Sequence, residues 1–297
     1  MKSLRLKEES RFGEYYAKRL IHAGEKSLVM EAAKMYSDNP VAIKLYTKTY
    51  DRTAKRIEKK YKIPSEAEAG LMLNPGDEGH SGSFLVATLG QGVEYGKRSG
   101  CRYIVQEFVH GVTLKRLICC EDPRVKRHMN LWAQEICLAL KEIHSRDLIY
   151  RDMCSDNVMI CNSERANRVK LIDLGFVAPH NIAFEEKAGT PAYMAPEQVA
   201  GEPLTHKTDI YSLGVVLFEM LTGALPYTAQ VPGNSDLARK ERQRRIMVQH
   251  LEAPPPRLTP RYVKNNPVLA RVIDRCLLKE PIKRYDSVDE IIESFSD

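Results

Sequence analysis

The segment Tyr150-Arg151-Asp152-Met153-Cys154-Ser155-Asp156-Asn157 sets a carboxylate and a carboxamide on one polar turn between two apolar runs. Upstream, a helical pattern over Leu138 to Ile149 closes in Leu-Ile; downstream, Val158-Met159-Ile160 reads as a short buried strand. On such a turn Asp152 can accept a proton from a hydroxyl, and Asn157 can offer an oxygen to a hard cation. A turn closed by an Asx-type hydrogen bond would use the same residues for structure alone. Lys44 is the one charge inside the apolar run Val41-Ala42-Ile43-Lys44-Leu45. It needs an anion, because an unpaired charge in such surroundings is costly.

Further stretches follow in order: Asp173-Leu174-Gly175, then Gly189-Thr190-Pro191-Ala192-Tyr193-Met194-Ala195-Pro196-Glu197. Together with the Asp152 turn and Val41-Ala42-Ile43-Lys44, this order resembles the signature of the eukaryotic-type (Hanks-type) serine/threonine protein kinases, and is most like their bacterial members. The resemblance runs from about Tyr15 to Phe295. It implies an α+β fold of two lobes, a small β-rich N-lobe over 15–108 and a larger helical C-lobe over 109–297, after a charged, irregular leader over 1–14. It also implies ATP and Mg²⁺ as cofactors and a protein Ser/Thr hydroxyl as acceptor. Asp152 would be the catalytic base, Thr190 would bond it, and Asn157 and Asp173 would hold Mg²⁺.

The same resemblance assigns the nucleotide site. His22, Gly24 and Ser27 fall on the three positions of the family's Gly-rich loop, with Val29 behind them; the loss of two glycines should stiffen that loop. Ala42 and Met159 would sandwich the purine, Gln106 would gate the rear of the pocket, and backbone at Glu107 and Val109 would hold the adenine edge. Lys44 would meet the phosphates and a helix glutamate. Glu58, Glu66 and Glu68 are candidates, with Glu68 favoured because Met72 supplies an apolar residue four positions on. Cys154 stands where such kinases carry a lysine that reaches the γ-phosphate. Losing one preorganised donor costs roughly 10²–10³-fold in rate, so a nucleotide-binding scaffold without catalysis is the alternative. A small-molecule phosphotransferase is a further rival, disfavoured by the apolar helix and the arginine described below.

Between Gly175 and Gly189 there is no Ser, Thr or Tyr. Kinases with an arginine at the position of Arg151 often order this segment by phosphorylation; here Glu186, with Glu185, is expected to pair with Arg151 in place of a phosphate. Activity without activation-loop phosphorylation is therefore expected. Gly-Thr-Pro argues for Ser/Thr rather than Tyr substrates.

These residues need elements to hold them. Tyr15 to Lys34 reads as two strands and a turn, Val41 to Tyr46 as a buried strand, and Phe84 to Leu89 and Cys101 to Phe108 as two more. Asn74 to Ser83 reads as a loop. Val125 to His144 is a packing helix. Thr208 to Thr222 is an almost wholly apolar helix capped by Gly223, so it should be buried. Asp209 on it would anchor the Asp152 turn from below, and Arg284 would pair with Glu197. Helices near Pro267–Leu278 and Ser287–Phe295 close the larger lobe, at the point where a kinase domain is expected to stop.

Composition bounds the rest. The chain has 297 residues, 43% hydrophobic, with net charge +6. That mild basicity suits anionic nucleotides or an acidic docking partner on the run Arg239, Lys240, Arg242, Arg244 and Arg245; no nucleic acid partner is expected. Seven cysteines without a C-x-x-C pair suggest reduced thiols in a cytoplasm. The amino terminus lacks an apolar signal core, and no apolar run is long enough to span a bilayer.

Overall fold

The computed structural model describes residues 10–37, 39–74, 82–95, 100–161 and 169–296. The first part of the expected leader, the middle of the expected 74–83 loop and Asp297 lie outside them. The chain divides into two units between His110 and Gly111, two residues beyond the expected boundary.

The first unit is a six-stranded antiparallel sheet with two helices. Its strands are β1 (Arg11–Phe12), β2 (Tyr15–Ala23), β3 (Ser27–Lys34) and β4 (Pro40–Tyr46), and, after helices α1 (Lys48–Tyr61) and α2 (Glu66–Leu73), β5 (Thr88–Tyr95) and β6 (Gly100–Glu107), in the order β1-β2-β3-β4-β6-β5. Period-two alternation sorts β4. Val41, Ile43 and Leu45 face a core with Phe12, Met30, Tyr103 and Val105. Ala42, Lys44 and Tyr46 therefore face the other way, where Tyr46 packs with Ala67 of α2 and Ile104.

Two expectations are corrected. The end of the leader is not irregular: β1 pairs with β2, and Phe12 is buried edge-on against Tyr103. The strand expected over Phe84–Leu89 begins at Thr88 instead; Ser83 and Asn74 hold Leu85 by hydrogen bonds that belong to a loop. Helix α1 rests on β6 through Arg102, which meets Asp51 and forks onto Glu58 at 2.9 Å.

The second unit is helical around short ribbons. Strand β7 (Gly111–Thr113) leads into α3 (Leu114–Cys119) and α4 (Pro123–His144). Strands β8 (Leu148–Ile149), β9 (Val158–Cys161), β10 (Val169–Leu171), β11 (Ala178–Pro179) and β12 (Ile182–Ala183) follow. Then come α5 (Pro196–Ala200), β13 (Pro203–Leu204), α6 (His206–Thr222), α7 (Asp236–Glu252), α8 (Pro260–Asn265), α9 (Pro267–Cys276) and α10 (Val288–Glu293). The apolar α6 is buried from Thr208 to Leu221 and packs on α4 and α9. Trp132 of α4 is core. Buried Glu135 of the same helix accepts the Val169 amide at 2.9 Å, fixing β10 to α4. No helix among the described residues is long and apolar enough to cross a membrane.

Candidate active site

In the second unit the Asp152 turn is held from several directions. Strand β8 delivers the chain, and Arg151 follows with φ +68°, a left-handed conformation that an arginine keeps only when its surroundings enforce it. They do: the amides of Tyr150 and Arg151 both donate to the Asp209 carboxylate at 2.8 Å, as expected of α6. His144 closes the other side of that carboxylate at 2.8 Å. The Arg151 carbonyl accepts from Gln198 Nε2, which also reaches the Ala188 carbonyl. Gly189, at φ +113°, passes so near that a Cβ would stand 2.8 Å from the Arg151 carbonyl.

Asp152 is buried. Its Oδ1 accepts from Thr190 Oγ1 at 2.7 Å, and its Oδ2 from Asn157 Nδ2 at 3.2 Å; the same amide nitrogen donates to the Asp152 carbonyl at 2.9 Å. With Nδ2 so engaged, Asn157 is left its Oδ1 to offer a cation. Strands β9 and β10 pair with Val158 opposite Leu171, and the Ile172 amide extends the ladder onto the Asn157 carbonyl at 3.1 Å. Asp173 is the next residue. Its Oδ1 accepts from the Gly175 amide at 3.0 Å. One hairpin thus brings Asn157 and Asp173 to the same end, and their oxygens are the donors Mg²⁺ prefers alongside phosphates. Met159, on β9, lies opposite Lys170 and Thr113.

Three buried side chains pack around these groups. Tyr150 is fully buried, and burial pushes its phenol pKa well up, so it stays neutral. Leu174 is buried as an apolar plug. Burial, seconded by the Asp152 charge, likewise pushes the Cys154 thiol well up; it is an uncharged packing group.

In the first unit, Lys44 Nζ lies 2.8 and 2.9 Å from the two oxygens of Glu66, and Tyr46 adds a hydroxyl to that carboxylate at 2.6 Å. The preference for Glu68 is corrected. Glu68 turns back to cap α2: its carboxylate accepts from the Ser65 amide at 2.8 Å and the Ser65 hydroxyl at 2.7 Å. Those bonds from Ser65 hold its pKa below the usual carboxylate range. The packing argument for Met72 fails with it, since Met72 is 55% exposed. Gly70 is where α2 crosses β5, so closely that a Cβ would fall 2.0 Å from Thr88 Oγ1. The overlooked signal is the Ser65-x-x-Glu68 capping box, which assigns Glu68 to the helix start and leaves Glu66 for the lysine.

The other expected nucleotide residues share this sheet. His22 pairs with Val29, and Val29 with Lys44; Ala42 pairs with Gln106. Val29, Ala42, Lys44 and Gln106 thus line one face. The β2–β3 turn is short: the Gly24 amide donates to the Ser27 carbonyl at 2.9 Å, and Thr47 bonds the carbonyls of Glu25 and Lys26. Gln106 is buried, and its Nε2 finds no partner among the described residues. Glu107 turns its carboxylate to the Ala87 amide at 2.8 Å, and its own amide donates to the Ala87 carbonyl. Val109 is half-buried.

Elsewhere, Arg284 is wholly buried and forks onto Glu197 at 2.7 and 2.9 Å. Helix α7 engages much of its basic charge internally: Arg242 donates to the carbonyls of Val231 and Gly233, and Arg244 and Arg245 share Glu241.

Comparison with known proteins agrees with this arrangement. A protein kinase domain profile matches residues 15–295. Serine/threonine-protein kinase pkn3 of Myxococcus xanthus is 29% identical over 93% of this chain and 48% of its own length. Serine/threonine-protein kinase PrkC of Bacillus subtilis is 28% identical over 94% and 39%. A probable serine/threonine-protein kinase of Clostridium acetobutylicum is 32% identical over 68% and 29%. The chain spans less than half the length of these relatives.

Proposed function

The chain belongs to the protein kinase domain family, and from that premise we propose that it transfers the γ-phosphate of ATP to a serine or threonine hydroxyl of a protein. The observation that carries this reading is the bonding of Asp152, whose carboxylate is oriented by both Thr190 and Asn157. So held, it can align an incoming hydroxyl and take its proton as the phosphorus–oxygen bond forms. Lys44, steadied by Glu66, serves the nucleotide phosphates. In the first unit Val29, Ala42 and the hairpin bearing His22, Gly24 and Ser27 would meet the nucleotide, with Gln106, Glu107 and Val109 along the base; in the second unit Met159 would contribute an apolar contact to the purine. Asn157 and Asp173 hold Mg²⁺, which when bound neutralises charge on the phosphates. In this reading Glu186, with Glu185, answers Arg151 in place of a phosphate, and the enzyme works without activation-loop phosphorylation. Lys240 of α7, exposed, contributes to a basic face that docks an acidic partner. The cysteines lie in a reducing cytoplasm, where none needs a disulfide.

The test is transfer of labelled γ-phosphate to a mixed Ser/Thr protein acceptor by wild type and Asp152→Ala. We expect robust transfer from the first and background from the second, with nucleotide bound by both. Equal background from both would leave a nucleotide-binding scaffold.

A further inference from the structure

We propose that the ring of Phe184 is a further positioning group, beside the expected Glu186 pair, that docks the activation segment on Arg151 without a phosphate. This rests on the kinase reading and adds to it a residue and a mode of control. Arg151 lies with its guanidinium carbon 3.5 Å from the centre of the Phe184 ring, and both side chains are buried. A guanidinium stacked on an aromatic face is held by the ring's negative quadrupole, most strongly where water is excluded. Arg151 Nη1 also donates to the Phe176 carbonyl at 3.4 Å, so one cation touches the segment at two places.

The neighbouring backbone aims the ring. Strand β11 pairs with β8, just ahead of Arg151. Strand β12 pairs with β13, and the Asn181 amide reaches the Leu204 carbonyl at 2.6 Å. Phe184 follows β12 directly and is turned inward. Beyond it, Gln198 ties the Ala188 carbonyl to that of Arg151. The stretch from Phe176 to Ala188 offers no hydroxyl for modification, so an interaction available in every molecule takes the place of a conditional one. Since Arg151 directly precedes Asp152, tilting its side chain disturbs the carboxylate that meets substrate.

The experiment compares wild type, Phe184→Leu, and protein carrying ring-fluorinated phenylalanines at 184, which keep the ring's outline and drain its face. Each is dephosphorylated and checked by mass spectrometry, then assayed for kcat and for ATP KM, and for tryptic cleavage after Lys187, which is exposed. Expected are an active dephosphorylated wild type and a stepwise fall in kcat with fluorination. The fall reaches about ten- to thirty-fold, as for Phe184→Leu, with ATP KM held and cleavage quickened in the same order. Two results would overturn the proposal: fluorinated proteins matching wild type in both readouts, which makes the ring mere packing, or loss of wild-type activity on dephosphorylation. If wild type transfers no phosphate at all, the kinase reading fails, while the order of cleavage rates still decides whether the stack holds the segment.

Discussion

The two units hold their charged residues in opposite ways. In the first, Lys44 meets the carboxylate of Glu66, which the opening turn of an eight-residue helix places and Tyr46 also bonds. In the second, Asp152 sits in a turn fixed by two amides on Asp209, a glutamine clamp, a threonine, an asparagine and a glycine contact. Redundancy makes the second arrangement hard to displace one contact at a time. The first can be set or unset by moving one short helix. Substitutions at the Lys44–Glu66 pair should therefore alter catalysis more than stability, and those in the frame of unit two the reverse.

The largest effect tests that frame. Arg284→Ala leaves Glu197 buried without its bidentate partner and frees the carbonyls of Lys207, Leu278 and Lys279. Breaking such a buried pair costs about 3–5 kcal/mol, read as a lower urea midpoint. A loss no larger than that of a surface substitution would remove the contrast. Next is Glu66→Gln, expected to lower kcat/KM roughly 10²-fold while moving the midpoint little. Glu68→Ala should do the opposite: about 1 kcal/mol of stability as a lost cap, and nearly unchanged kcat/KM.

What could be read from the sequence divides along the same line. The Thr190–Asp152 bond, the Asp209 anchor and the Arg284–Glu197 pair were legible because each residue lies in a short, dense motif, although the contacts themselves join segments far apart in sequence. Choosing among Glu58, Glu66 and Glu68 required the phase of a short helix, and the packing cue pointed wrong because a glycine, not a methionine, marks where α2 meets the sheet. Helix α1 diverts another candidate, Glu58, to Arg102. The start of β5 was misjudged because apolar Leu85 and Val86 are buried as loop rather than strand. Phe184 gave no signal, since a phenylalanine in a loop declares no partner until an arginine from another segment is folded against it.

A pH experiment probes the support of unit two more gently. His250 of α7 is buried: its Nε2 faces the Ala192 carbonyl at 2.9 Å and its Nδ1 the Tyr211 hydroxyl at 3.0 Å. A carbonyl only accepts, so Nε2 carries the proton and Nδ1 accepts from Tyr211. Burial lowers its pKa to about 4, with Lys279 nearby acting in the same direction. In the unfolded chain the imidazole titrates near 6.5. Above pH 6.5 both states are neutral and the group adds no slope. Between 6.5 and about 4 the unfolded chain binds the proton and the folded one resists, so stability falls as pH falls, by up to about 3 kcal/mol. Melting temperatures of wild type and His250→Gln measured from pH 7 to 4.5 should converge toward the acid end. Parallel curves would mean that His250 is not buried neutral.

The smallest effect concerns the thiol at Cys154. If unit two is as closed around Asp152 as its hydrogen bonds imply, Cys154 is inert in the folded protein, because alkylation needs both access and thiolate and burial denies both. Iodoacetamide at neutral pH should therefore modify exposed Cys119 and Cys120 first and half-buried Cys101 of unit one more slowly. Burial raises the Cys101 pKa as well. Cys154 should react only at the rate of unfolding, along with the buried Cys137 and Cys276. Cys154→Ser should keep kcat within about threefold, since a small neutral group replaces another and no charge is lost. Prompt labelling of Cys154 under native conditions would show that the turn opens on its own. The distinction between a redundantly fixed turn and a lysine–glutamate pair set by one short helix would then disappear.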